Sequence, residues 1–141
     1  MRAVMDCLES RTLFAVHFLG EPVFTDNGTT MSVSGSVAGL GNGDVTVELT
    51  ATGTATVLGR NPAGKVAPGQ TQVVTLGGTV TIEDPKNGRV DFEVTTDEPI
   101  VTNAGLPNSK WVAEATDVNF TSATVTVVQG GQVVLTDSWP G

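Results

Sequence analysis

The sequence predicts an all-β protein, an antiparallel β-sandwich of about seven strands, on three observations. Residues 45–57 alternate without a break: Val45, Val47, Leu49, Ala51, Gly53, Ala55 and Val57 hold the odd positions, and Thr46, Glu48, Thr50, Thr52, Thr54 and Thr56 the even ones. A period of two is that of a strand with one dry and one wet face. A second such run places Val74, Leu76, Gly78, Val80 and Ile82 on one face. Third, Val, Thr and Gly abound while the strong helix formers never gather at spacings of three and four.

The 141 residues suit one domain, large enough to bury a core without obligatory metals or disulfides. Residues 1–30 differ from the rest, holding the only His (His17), the only Cys (Cys7) and three of the five Phe. They read as a targeting or poorly ordered segment, with the apolar run at 13–19 either a first strand or part of that tail. A turn cluster at 26–30 marks the boundary, and the sandwich is expected over 31–141.

From there Met31, Val33, Gly35 and Val37 alternate with serines as a first core strand, and the glycine-rich 39–44 turns the chain into the long run at Val45. The two long runs are expected to pair with Val57 opposite Val74, Gly53 opposite Gly78 and Leu49 opposite Ile82, which also aligns their threonines on the wet face. Gly53 and Gly78 then mark a bend or a close backbone approach. Residues 59–70, with two prolines and three glycines, read as a loop. Asn87-Gly88 can take the positive φ of a tight return, after which Val90, Phe92 and Val94 face inward. Residues 96–110 form a second long loop, strands follow at 111–118 and 120–129 about a turn near Asn119, and Gly130-Gly131 closes a hairpin into 132–139. With successive strands antiparallel, 59–70, 96–110 and 130–131 share one rim.

Charge and residue inventory exclude several functions. A net charge of -8, with Arg60, Lys65, Lys86, Arg89 and Lys110 scattered over turns, argues against nucleic acid and against anionic membranes. No apolar run approaches the roughly 20 residues that cross a bilayer, so no membrane insertion is expected. A lone cysteine permits no internal disulfide. With no core His or Cys, neither a Ser-His-Asp triad, a thiol site nor a zinc site can be assembled, and the acidic pairs at 83–84 and 97–98 are expected at opposite ends. The protein is therefore read as no enzyme. No cofactor is expected except calcium, for which Asn42 and Asp44 of the Gly-Asn-Gly-Asp turn are the candidate ligands. The threonine rows suit the wet face of a sheet better than an ice-ordering or glycan-gripping array. Trp111, beside Arg60, Asn61 and Asn108 on the rim of the two long loops, is the candidate ligand contact, with capping of the sandwich end as its structural alternative.

Two resemblances extend this reading. Leu8-Glu9-Ser10-Arg11-Thr12-Leu13-Phe14-Ala15 resembles the LEPR-XLL motif of exported bacterial proteins, with Ser10 and Phe14 departing from it. The resemblance implies an address to the envelope exterior or to secretion. From Met31 onward, Gly39-Leu40-Gly41-Asn42, Thr52 through Val57, Asn61-Pro62, Ala67-Pro68-Gly69-Gln70, Ala104-Gly105, Pro107-Asn108, Trp111, Asp117-Val118 and Phe120 through Thr124 make the chain similar to an uncharacterised family of small exported bacterial proteins. Its relatives tend to carry Cys where this chain has Gly59 and Leu106, which implies that the two long loops lie close. The expectation is thus a non-catalytic exported domain, immunoglobulin-like in the broad sense, structural or adhesive, with a cell-surface or extracellular polymer as partner. The alternative is a glycan- or calcium-binding module using the rim of loops 59–70 and 96–110.

Overall fold

Alternation in the sequence becomes alternation in burial along the central strand. The computed structural model of the chain describes residues 16–83, 85, 88–103 and 105–140, so the LEPR-XLL-like segment at 8–15 and Asn87 lie outside it. Nine strands occur among the described residues: β1 (His17–Phe18), β2 (Val23–Asp26), β3 (Met31–Ala38), β4 (Val45–Arg60), β5 (Val66–Pro68), β6 (Gln72–Ile82), β7 (Val90–Thr95), β8 (Val112–Gln129) and β9 (Gln132–Trp139). They form two antiparallel sheets, a β-sandwich. In the smaller, β3 has β1 and β2 on one side and β7 on the other; in the larger, β4 has β8 along one side, β6 and β5 along the other, and β9 beyond β8.

Every odd residue of β4 is buried, with Val45, Val47, Ala51 and Ala55 at 0% exposure. β3 supplies Met31, Val33 and Val37 from the facing sheet, and β7 supplies Val90, Phe92 and Val94. The smaller sheet starts ahead of the expected boundary at Met31. β1 and β2 pair with β3, and Val16, Phe18 and Phe24 pack against the core. Of the apolar run at 13–19, His17 and Phe18 are strand, while 13–15 lie outside the described residues.

The β4–β6 register differs from expectation by four residues. Gly53 faces Val74, Leu49 faces Gly78 and Val45 faces Ile82. An even slip keeps every side chain on its face, so alternation alone could not exclude it. The cause lies in 59–70, which is not a loop: β4 runs on to Arg60, the chain turns at 61–65, and β5 pairs Leu58 with Pro68 before the ladder resumes at Gln72. Both glycines do sit at close approaches, though not to each other. A Cβ on Gly78 would strike the Thr95 carbonyl where the chain leaves the smaller sheet, and one on Gly53 would lie 2.6 Å from the Asn119 carbonyl oxygen.

The turn expected near Asn119 is also absent, and β8 is one strand of 18 residues. Its buried positions change parity, from Val118 and Phe120 to Ala123, Val125 and Val127. A bulge against β4 accounts for this, leaving Thr121 as the extra residue, and a second bulge before Val118 leaves Thr116. The Thr116 and Thr121 hydroxyls donate to the carbonyls of Thr56 and Thr52 at 3.4 and 3.2 Å, which occupies acceptors beside each bulge. Because β8 does not turn, the Gly130-Gly131 hairpin lies at the end opposite the two long loops. Both of its glycines have positive φ, 65° and 78°, as a two-residue hairpin turn requires. β6 and β7 likewise form no hairpin with each other; they lie in the larger and the smaller sheet.

The two sheets are unequal in length. β4 and β8 have 16 and 18 residues against 8 and 6 in β3 and β7. Met31 and Thr96 close the short sheet: Thr96 N–H donates to the Met31 carbonyl, and Met31 N–H donates to the buried Thr96 hydroxyl. Beyond that point the described residues of 96–111 run past the larger sheet without forming a strand, with Val101 packed against the core and Leu106 on Gly59.

Two glycines of neighbouring strands should respond in opposite directions. Gly53→Ala must push backbone at Asn119 and Phe120 and is expected to cost about 2–4 kcal/mol in urea unfolding. Gly77→Ala, whose nearest neighbour to a new Cβ is 3.8 Å away, is expected to be neutral or to stabilise by up to about 1 kcal/mol.

Candidate functional site

The rim of the two long loops is built from residues that hold each other. Leu106 lies directly over the Cα of Gly59, and Gly105 lies against Gln70, where a Cβ would come within 2.9 Å of the Gln70 nitrogen. The Gln72 amide reaches across to the same segment. Its Nε2 donates to the Thr102 carbonyl at 2.8 Å and its Oε1 accepts from the Thr102 N–H at 3.0 Å. The contact implied by the Cys positions of the resembled family is therefore present as apolar packing of Leu106 on Gly59.

The four rim candidates have intramolecular roles. Asn61 shapes the 61–65 turn: its Oδ1 accepts from Lys65 N–H at 2.8 Å, and its carbonyl accepts from Gly64 N–H. Asn108 does the same one loop over, accepting Lys110 N–H on Oδ1 at 2.9 Å and Trp111 N–H on its carbonyl. These are turn contacts that Asn makes by virtue of its short amide. Arg60 Nε pairs with Glu114 Oε1 at 3.2 Å. With both side chains more than half exposed, the pair contributes on the order of 0–1 kcal/mol. Trp111 is half-buried at the entry to β8. The structure thus brings the four together at one end, as expected, but engages three of them in holding that end's shape.

Asn42 and Asp44 lie at the opposite end, in a turn organised by a different side chain. Gln129 Nε2 donates to the carbonyls of Gly41 and Gly43 at 2.8 and 3.1 Å, and its Oε1 accepts from Gly41 N–H at 3.0 Å. Carbonyls that a calcium loop would offer to the ion thus already receive the Gln129 amide. Among the described residues, no three His, Cys, Asp or Glu side chains come together as a metal group.

Grooves lie instead along the sides of the sandwich. One of about 430 Å³ opens over Gly77 and Gly78, between Glu48 and Thr50 of the outer face and Thr95 and Asp97 at the edge. A second of about 330 Å³ adjoins it through Gly77 and Asp97 and is bounded by Val73, Thr75, Glu98 and Ile100. A third of about 300 Å³, on the other side, lies between Phe24 of β2 and Trp139 of β9, with Glu21 and Asp137 on its walls. Sequence reasoning missed all three. The one available signal was Gly77-Gly78, two adjacent residues without side chains in an otherwise bulky strand; the partners across each groove come from distant strands.

No family model matches the chain, and no curated protein matches it. One solved structure, beta-glucosidase 3B from Thermotoga neapolitana in complex with alpha-D-glucose, is similar over 89% of this chain at 15% identity and a TM-score of 0.32. This chain spans 15% of the length of that one. So slight a likeness bears on neither fold nor function.

The Gln72–Thr102 pair and the Leu106–Gly59 contact should be measurable as the fastening of 96–111. Leu106→Ala and Gln72→Ala are each expected to cost about 1–2 kcal/mol and to speed exchange of the Thr102 amide. Unchanged Thr102 exchange in Gln72→Ala would show that the amide pair does not hold the segment.

Proposed function

We infer that the protein is a non-catalytic domain, structural or adhesive, acting at the exterior of a bacterial cell. The observation that carries this is the use of the loop rim. Sandwiches commonly display their reactive or binding groups on the loops at one end, and here Asn61, Asn108 and Gln72 are engaged in turn closure and loop-to-sheet bonds. Such a rim favours a rigid body over a catalytic pocket. The export half of the reading rests on the LEPR-XLL resemblance at 8–15.

The glycan alternative is favoured by one observation, and not at the rim. The β2–β9 groove sets the Trp139 and Phe24 rings beside the carboxylates of Glu21 and Asp137, a pairing of apolar face and acceptors that suits a sugar ring.

The carboxylates Glu48 and Asp97 share a groove, so they are the test of the non-catalytic claim. The purified protein is expected to show no turnover on panels of glycoside, ester and peptide substrates. Hydrolysis that Glu48→Gln or Asp97→Asn abolishes would overturn it. Fusing residues 1–30 to a reporter should direct export in a bacterial host, and retention of the fusion inside would remove the exterior assignment.

A further inference from the structure

Edge strands invite pairing with foreign chains, and proteins blunt them with shortness, charge, proline or bulges. Most edges of this sandwich carry such a device. β1, β2 and β5 have 2, 4 and 3 residues, and β5 ends in Pro68. β7 shows Asp91 and Glu93 to solvent. β9 carries a half-buried Asp137 and is itself bulged at Val134, the residue left over opposite Val127 and Val128. β6 has none of these: eleven residues, no charge, no proline, and Val73 78% exposed.

The outward groups of β6 can be assigned. Asp97 N–H donates to the Gly77 carbonyl at 2.9 Å from the side away from β4, so Gly77 and the residues in step with it, Val73, Thr75, Thr79 and Thr81, turn their backbone N–H and C=O outward. Between that bond and the Gln72–Thr102 pair, residues 98–101 stand off from the edge, and the gap is the groove bounded by Val73, Thr75, Glu98 and Ile100. Ile100 is 93% exposed. An open strand edge thus borders two exposed apolar side chains and the carboxylates of Glu48, Asp97 and Glu98.

We propose that the β6 edge at Val73–Thr75 binds a short extended segment of another polypeptide carrying Lys or Arg, by strand addition beside the Asp97/Glu98 carboxylates. Outward N–H and C=O groups recurring at every second residue match an extended peptide backbone. Val73 and Ile100 would receive its apolar side chains, and the carboxylates its basic ones. Charge decides against a second copy of this chain: pairing β6 with β6 about a two-fold axis would bring both sets of carboxylates together, on a protein of net charge -8. The proposal deepens the adhesive reading and rests on it only in that the protein acts by binding. Peptide binding and substrate turnover are separate readouts, so either can fail without the other.

The test uses the full chain and a decapeptide of alternating valine and lysine. Two controls accompany it: the valine–glutamate counterpart, and the valine–lysine peptide N-methylated at alternate residues, which keeps the charges but cannot donate along one edge. The valine–lysine peptide is expected to bind at least about tenfold more tightly than either control, to shift the Val73 and Thr75 amide resonances, and to slow Thr75 exchange. Gly77→Val, which places its side chain where nothing lies closer than 3.8 Å to the new Cβ, should leave the melting temperature unchanged and weaken binding by about tenfold. Thr75→Lys, on the exposed face, should do the same through charge. Equal binding of the N-methylated peptide would reduce the effect to bulk charge and overturn strand addition. Absence of binding, or resonance shifts confined to β9 or the rim, would overturn the site. Concentration-dependent dimerisation lost in Thr75→Lys would assign the edge to a second copy instead.

Discussion

Burial of the odd face of β4 along its whole length is the constraint from which the rest of this structure follows. Seven odd positions from Val45 to Val57 carry only aliphatic side chains or glycine, and each side chain of Val or Leu size left in water would forgo roughly 1.5–3 kcal/mol. A strand of 16 residues needs a cover as long as itself, yet β3 and β7 reach only along its first half. Val101 and Leu106 of the segment 96–111 contribute to the remainder. The segment acts as an unpaired layer, tied by the Gln72 amide to Thr102 and by Leu106 to Gly59 rather than by a ladder.

This explains why glycine sits where it does in the large sheet. At Gly53 the bulged partner strand presses its backbone onto β4, at Gly78 the chain leaving β7 crosses β6, and at Gly59 Leu106 fills the space a side chain would need. Gly78 and Gly59 mark points where a second layer touches the sheet's backbone directly, and Gly53 a point where the bulged neighbour in the same sheet does. Gly77 is the exception. Its Cβ direction is open, and that opening joins the two grooves on the β6 side. The glycine that covers nothing is the one beside the unguarded edge.

Much of the fold was legible in the sequence, for definite reasons. Alternation identified the faces of β4 and β6, because one buried side forces period two, and Gly130-Gly131 marked its hairpin because both residues must take positive φ. Register was not legible: a slip of four residues preserves every face, and only the short β5, hidden among prolines and glycines, sets it. The parity change around Phe120 was visible too, but a phase flip looks the same whether made by a turn or by a bulge. What decides for bulges is partnership with β4, which local sequence does not carry. The proximity of the two long loops was expected, and Leu106 on Gly59 shows it. The role of their residues was not, since an Asn that closes a turn and an Asn that meets a ligand read alike. The edge grooves depend on strand order and on the path of 96–111, both long-range properties.

The central claim is that 96–111 completes the core and does not merely lie on it. Native-state hydrogen exchange of the β4 amides tests this most directly. If the segment is a true layer, amides of the upper half, such as Ala55 and Val57, should open with the same free energy as those at Val45 and Val47, as one cooperative unit. Upper-half amides that exchange several kcal/mol more easily than the lower half would contradict the account, and would make 96–111 a loop resting on a sheet that does not depend on it.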